Sequence, residues 1–232
     1  MKSSKRIFIL AWMLVFSAVV LSNFAFAQER SQTNVTEEYL SSVEDIIITE
    51  LTAAPDRETK EIALDYLESA IKDGRVSPDM QVALRTLAGE GVLKESRTNG
   101  RLMNNYPEIR SRACTLLGEI GDDYATKTLT DIIIAENEPM VSRAAVKAFA
   151  KCNTDNPEEI VASIAWAERR YAVINPTSSL AFEILETYEK LAPNMTDNKE
   201  MIRSISEIAV NQYYTRSVRE KAIKLLTSLK GM

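Results

Sequence analysis

The sequence predicts an all-α protein in which about ten helices stack as an α-solenoid, or alpha-alpha superhelix. Apolar residues recur at three- and four-residue intervals along most of the chain, and this spacing is typical of amphipathic helices. No window keeps the strict alternation of a half-buried strand. A third observation is a partial repeat at an offset of 32 residues, from Pro107 to Pro139, and repeated helix pairs favour a stacked array.

The first 27 residues differ from the rest of the chain. Three basic residues precede an apolar run from Ile7 to Leu21, and the small-residue site Ala25-Phe26-Ala27 follows. This order is typical of a cleaved secretory signal. A retained transmembrane anchor is the alternative, because the apolar run is marginal for a ~30 Å hydrocarbon core. We therefore expect a signal peptide over 1–27, a flexible leader over 28–34, and an exported, periplasmic chain with no membrane segment after cleavage.

Seven prolines mark where predicted helices begin. Each precedes a new apolar-periodic run, where a missing N–H costs nothing because the first N–H groups of a helix are unpaired. From Pro139 onward the prolines are 17 to 19 residues apart, which fits a helix plus a short turn. The predicted helices cover residues 35–53, 57–73, 78–89, 106–119, 123–136, 139–152, 157–173, 177–192, 198–213 and 215–230.

The clearest repeat unit begins at Pro107. Ala113 aligns with Ala145 at the 32-residue offset, with apolar residues matched on both sides. Small residues let paired helices approach closely, and each pair leaves an apolar face that the next pair covers. Gly118 and Gly121 are expected to end the first helix of this unit, and Asp122 or Asp123 to cap the second. The Gly-, Asn- and Arg-rich stretch over 93–106 is expected to be a long flexible loop.

The run from Pro107 to Asp122 resembles a HEAT repeat of the short bacterial kind, also found in phycobilin lyases. That repeat reads roughly P-x-V-R-x-x-A-x-x-x-L-G-x-[IL]-G-D, and only residues 107–151 match it well. The next unit departs from the pattern, because Ser142 stands in place of the usual Arg. The resemblance implies a domain of about four HEAT-like helix pairs over 35–232, whose second helices line a concave surface.

The composition excludes several kinds of chemistry. The chain has no histidine and two cysteines, which excludes His-based triads, His-ligated metals and four-thiolate zinc sites. Without the three basic residues of the first segment, 25 basic residues stand against 33 acidic ones. This net charge of −8 argues against a nucleic-acid binder. Adjacent acids such as Asp122-Asp123 favour helix capping over paired-carboxylate catalysis. We expect no catalytic residue, no metal and no cofactor.

The remaining polar side chains have ordinary structural interpretations. Arg110 and Arg112 lie among acidic residues and are interpreted as parts of solvated helix faces. The predicted helix spacing places Cys114 and Cys152 beyond the ~7 Å Cα separation that a disulfide allows. Both are therefore expected to be free, mostly buried thiols.

Three apolar residues lie off the core stripes of the predicted second helices. The core register of the helix from 123 leaves Ile134 on another face, and Trp166 aligns with Ile134 at the 32-residue offset. Val210 is equivalent if Ile208 matches Ile132. Aromatic anchors are typical of protein interfaces, although Trp166 packed between repeats is the alternative. The candidate protein-binding residues, expected to form an apolar ridge, are Ile134, Trp166, Tyr171, Val210, Tyr213 and Tyr214.

These observations favour a non-enzymatic, exported module that binds or scaffolds another protein with the concave face of a solenoid. One alternative is a structural subunit of an envelope or appendage assembly. Another is an enzyme similar to the bilin lyases, which use HEAT-like repeats to hold a tetrapyrrole. Export and the lack of a recognisable catalytic group count against this last reading. The expected partner is a protein, not a nucleic acid or a membrane.

Overall fold

The computed structural model describes residues 40–229, and helices dominate it. Helix α1 covers residues 40–53. The helices that follow are α2 (Arg57–Lys72), α3 (Pro78–Ala88), α4 (Pro107–Ile120), α5 (Asp123–Ala135), α6 (Pro139–Phe149), α7 (Pro157–Ile174), α8 (Ser178–Leu191), α9 (Lys199–Val210) and α10 (Arg216–Leu229). The prediction of an all-α chain is confirmed. The predicted signal peptide (1–27) and leader (28–34) lie outside the described residues.

Contacts assign the described residues up to Ile47 and those from Ile48 onward to two different units. The packed helices α2 to α10, with residues 48–53 of α1, belong to the second unit. A short antiparallel hairpin, β1 (Arg97–Thr98) and β2 (Arg101–Leu102), lies between α3 and α4. A single 3-10 turn, Ala192–Asn194, follows α8.

Helix starts agree with the proline pattern. Prolines occupy the first position of four helices, at Pro78, Pro107, Pro139 and Pro157. Asp122 caps α5, because its side chain accepts a hydrogen bond from the N–H of Ala125 at 2.8 Å. From α2 onward the helix ends fall within three residues of the predicted ones.

The helices of the second unit pack in two rows. In the first row α2, α4, α6, α8 and α10 each contact the next member, and in the second row α3, α5, α7 and α9 do the same. Consecutive helices also contact each other across the rows. The first helix of each predicted pair therefore lies in one row and the second helix in the other.

Two glycines of α4 have different roles. Gly118, predicted to end the helix, lies inside it, where a Cβ atom would stand 2.7 Å from the Cβ of Ala148 in α6. That prediction is wrong, because this glycine serves the close approach of two helices. The helix ends at Gly121, whose φ of +64° is left-handed and whose N–H donates to the carbonyl of Leu117 at 2.9 Å.

The segment between α3 and α4 is tied down by one buried side chain. The amide of Asn104 donates to Glu90 Oε1 at 2.6 Å and to the carbonyl of Lys94 at 2.7 Å, and it accepts from the N–H of Ser96 at 2.8 Å. Gly91 packs so closely that a Cβ atom there would clash with the backbone carbonyl of Asn104. The prediction missed the hairpin because two-residue strands have no period to detect.

Candidate functional site

The buried residues of the second row follow one spacing in three successive helices. Counted from Ala125 in α5, Pro157 in α7 and Met201 in α9, the first, fourth, fifth and eighth residues are buried in each helix. The three helices therefore present the same face to the core. Ile132, Ile164 and Ile208 are therefore equivalent, as the loose sequence alignment suggests. The equivalent sets are Ala125, Thr128, Leu129 and Ile132 in α5, Pro157, Ile160, Val161 and Ile164 in α7, and Met201, Ser204, Ile205 and Ile208 in α9.

Two residues after each of these isoleucines comes an exposed apolar side chain. Ile134, Trp166 and Val210 are 46%, 39% and 77% exposed. Tyr213, just beyond the end of α9, is exposed as well. These four residues are called the exposed patch below. Single exposed apolar residues are common on protein surfaces. Their general frequency does not explain why an exposed apolar residue recurs at the same position of three adjacent helices.

Arg170 connects two members of the exposed patch. Its guanidinium carbon lies 4.9 Å from the ring centroid of Trp166 and 5.2 Å from that of Tyr171. Its Nη1 donates to the carbonyl of Ile134 at 2.8 Å. One side of the indole is thus covered by a cation, a favourable contact for an aromatic face, while much of Trp166 stays open to solvent.

Two tyrosines expected in the ridge are buried instead, each only 3% exposed. The hydroxyl of Tyr171 donates to the carbonyl of Glu136 at 3.1 Å and lies 2.8 Å from the hydroxyl of Ser142. The hydroxyl of Tyr214 donates to the carboxyl of Glu168 at 3.4 Å. Placing Tyr171 and Tyr214 on an exposed surface is therefore wrong. Their rings fill the core and their hydroxyls serve buried polar groups.

The sequence pattern missed two exposed residues at the end of α7, Val173 and Ile174. Val173 lies seven residues after Trp166 and three after Arg170, so all three share one helix face. The helical spacing from Trp166 to Val173 was a signal available from sequence, whereas the last buried position of the helix, Tyr171, was known only from the structure. They extend the exposed patch along α7.

Arg110, interpreted from sequence as a solvated residue, is almost completely buried. Its Nε and Nη2 donate to the two carboxylate oxygens of Glu136 at 2.7 and 3.1 Å. Its Nη1 donates to the carbonyl of Glu90 at 3.1 Å and to Asn105 Oδ1 at 2.9 Å. That interpretation is wrong, because an arginine that is paired with a carboxylate and hydrogen-bonded at all three of its nitrogens can occupy a core position.

Glu168 lies 32 residues after Glu136, at the position that aligns with it, but has no arginine equivalent to Arg110. The residue 32 positions after Arg110 is Ser142, and Glu168 Oε2 has no hydrogen-bond partner within the described residues. Burial and the nearby charge of Glu207 raise the pKa of Glu168 to about 7. The carboxyl is thus poised to change its charge near neutral pH.

The chain's two cysteines are free, as expected. Burial raises the pKa of the Cys114 thiol to about 12, and it also raises the pKa of the half-buried Cys152. Over residues 40–229 no group of three or more Cys, Asp or Glu side chains is placed to hold a metal ion. Within that same range no helix has the length and apolarity to cross a membrane.

The candidate site is therefore a surface feature, and the polar groups beneath it complete the packing of the rows. The exposed patch uses one equivalent position in each of α5, α7 and α9, with Tyr213 beyond the last. Comparison of the chain with protein-family models, with curated proteins and with solved structures finds no match.

Proposed function

We propose that this chain is an exported, non-enzymatic module that binds or scaffolds another protein with the helix row α5, α7 and α9. One observation carries the proposal: Ile134, Trp166 and Val210 stand at equivalent positions of three neighbouring helices and are all exposed. Clustered large apolar residues on a surface mark interaction sites, and tryptophan is enriched among the residues that dominate binding energy.

The helix contacts support a solenoid for this module. In a solenoid each unit touches only its neighbours, so contacts run from each helix to the second one after it. Helices α2 to α10 make such contacts in both rows. The proposed solenoid has four HEAT-like pairs, α2–α3, α4–α5, α6–α7 and α8–α9, with one further helix at each end of the chain. Its concave side is the second row, which carries the exposed patch.

Three features of α4 support the HEAT-like character of the pairs. Pro107 opens the helix, the buried Arg110 joins α4 to the end of α5, and Gly121 ends the helix in the left-handed conformation. Each matches a fixed position of the repeat pattern. In α6 the aligned residue is Ser142, whose buried hydroxyl is hydrogen-bonded to the hydroxyl of Tyr171 instead.

Export is proposed from the N-terminal pattern of basic, apolar and small residues. N-terminal analysis of the chain from a periplasmic fraction is expected to give Gln28 as the first residue. A chain that keeps Met1 and stays with the membrane fraction would support the anchor alternative instead.

The binding surface is tested by photocrosslinking in intact cells. A benzophenone amino acid at Tyr213 should capture one partner, identified by mass spectrometry, because Tyr213 is the most exposed of the four residues that define the exposed patch. The same group at Ile223, an exposed position of α10 in the first row, is the matched control. Equal capture at both positions would contradict the proposal. Recovery of this chain in a fixed ratio with the components of a large assembly would favour the structural-subunit alternative. Absorbance from a bound chromophore in the purified protein would favour the lyase-like enzyme.

Trp166→Ala is expected to weaken binding of the partner identified in this way by roughly 30-fold or more, the threshold of an interface hot spot. Stability should change little, since the indole is partly exposed. Calorimetric titration measures the affinity and thermal unfolding measures the stability. A large loss of stability with unchanged affinity would show that Trp166 only packs between helices.

A further inference from the structure

A cleft of about 490 Å³ lies in the N-terminal part of the second unit and contains none of the patch residues. It is bounded by residues 49–55, by Lys60 of α2, by one side of α3 and by the segment between α3 and α4. Ligand sites usually span ~300–1,000 Å³ and combine apolar walls with a few placed polar groups. The cleft has both features.

The polar groups of the cleft centre on a buried ion pair. The ammonium of Lys60 lies 3.1 Å from Glu90 Oε2, and the two side chains are 4% and 8% exposed. Asn104 holds the other oxygen of Glu90 at 2.6 Å. The attraction between two buried charges often fails to offset the loss of their hydration, so apolar residues stabilise a core as well or better. An ion pair at the wall of a cleft therefore favours a binding role.

Two donors of the cleft can serve a ligand. An ammonium has three N–H donors. Lys60 uses one on the carbonyl of Thr52 at 2.8 Å and a second on Glu90, so the third N–H is left for a ligand. Thr52 also lines the cleft, and its buried hydroxyl has no hydrogen-bond partner within residues 40–229. Rotation about Cα–Cβ, between rotamers that threonine adopts in helices, changes the direction in which this hydroxyl points.

The walls and the charge balance define the ligand's chemistry. The negative and positive charges of the residues that line the cleft nearly cancel, since Glu95 also accepts a hydrogen bond from Arg97 at 2.7 Å. A ligand that carries a carboxylate or an ammonium group therefore gains little electrostatic attraction. We propose that the cleft binds an uncharged, largely apolar molecule that presents a carbonyl oxygen, such as an amide, to Lys60 and Thr52. The apolar walls are Ala53, Ala54, Pro55, Val82, Ala83 and Met103.

Titration of the isotope-labelled full chain with N-acetylvaline methylamide tests the proposal by nuclear magnetic resonance. The expected result is a set of saturable shifts at the amides of Thr52, Lys60 and Met103, with none at Ile134 or Trp166. Sodium acetate and methylammonium chloride should leave these resonances unchanged. Absence of shifts at the cleft up to the solubility limit would overturn the site. Stronger shifts with either salt would overturn the uncharged ligand class.

A blocking variant checks that the shifts report the cleft. Val82→Arg puts a long side chain on an exposed wall position and should abolish the shifts. Ile223→Arg is the matched control, because Ile223 is similarly exposed on α10, and it should leave them intact. Binding that survives Val82→Arg overturns the assignment.

A second variant pair checks the hydroxyl. Thr52→Val keeps the side-chain shape and should lower the affinity for N-acetylvaline methylamide about three- to tenfold, which is the effect of one hydrogen bond. Thr128→Val removes another buried hydroxyl that has no hydrogen-bond partner among the described residues, in α5 and outside the cleft, and should leave the affinity unchanged. Equal effects of the two substitutions would overturn the role of Thr52.

Discussion

A single missing methyl group lets α4 and α6 approach each other. A Cβ atom on Gly118 would lie 2.7 Å from the Cβ and 2.8 Å from the Cα of Ala148. Since packed interiors have no spare volume at such contacts, the glycine is required by the distance between two helices and not by its backbone conformation.

Gly118→Ala is therefore expected to lower the free energy of unfolding by roughly 1–3 kcal/mol, the usual cost of overpacking. This holds although alanine is the better helix former by about 1 kcal/mol. Urea denaturation measures the difference. The double variant Gly118→Ala/Ala148→Gly removes the facing methyl group and should recover part of the loss. A single variant as stable as the native protein would contradict the close approach.

Glu168 gives a residue-scale prediction about pH. Its pKa is about 7 in the folded protein, against 4.5 for the free side chain, so the folded state holds the proton more tightly. Stability is then highest below about pH 4.5 and falls as the pH rises through 7. Glu168→Gln should be more stable than the native chain at pH 8, by roughly 3 kcal/mol, and within about 1 kcal/mol of it at pH 5.

Thermal unfolding at the two pH values measures this effect. Glu136→Gln is the matched control, because Glu136 holds the equivalent position but pairs with Arg110. Its substitution should destabilise the protein at both pH values. A destabilised Glu168→Gln variant at pH 8 would be evidence that the buried carboxylate has a compensating partner.

At the scale of helices, one ion pair joins three elements. Arg110 of α4 bonds Glu136 at the end of α5 and the carbonyl of Glu90 in the segment after α3. Loss of either partner would leave a buried charge uncompensated, which is far more costly than the loss of an exposed pair.

Arg110→Ser, which copies the residue found one unit later, should lower the free energy of unfolding by roughly 3–5 kcal/mol. Arg112→Ser on the same helix is the control. Arg112 is about one-third exposed and pairs with Asp65 and Glu68, so its loss should cost about 1 kcal/mol or less. Urea denaturation of both variants would reveal a similar cost for each if the burial of Arg110 were unimportant.

Local signals explain why the helices could be predicted. Prolines and apolar spacing act within one helix, so the ends of α2 to α10 were within reach of sequence alone. The burial of Arg110 was not, because a pattern of apolar and polar letters assigns every arginine to the surface. Its partner Glu136 lies 26 residues away, and only the packed helices bring the two together.

The candidate site divides in the same way. Exposure of Ile134 and Trp166 follows from helical register and the 32-residue alignment, and exposure of Val210 follows once Ile208 is matched to Ile132. Tyr171 and Tyr214 have rings that suit either a core or an interface. Their burial depends on which polar groups need a hydroxyl, and this is decided by contacts between helices.

At the scale of the whole molecule, two thiols distinguish local opening from unfolding. Cys114 is fully buried in α4, whereas Cys152 is half-buried in the turn after α6. A thiol reagent should label Cys152 through local fluctuations and Cys114 only at a rate set by global opening. A Cys152→Ser chain isolates the slow reaction, whose rate should rise with urea. Equal labelling rates for both thiols in the native chain would contradict this arrangement.

Several buried polar groups of the segments α4–α5 and α6–α7 find their partners by different means. Arg110 serves Glu136 in the first, while in the second Tyr171 pairs with Ser142 and also reaches back to the carbonyl of Glu136. Each segment is therefore fitted to its own neighbour. Deleting or duplicating either segment would separate one of these buried polar groups from the side chain that serves it, so the order of the two segments is set by their hydrogen bonds.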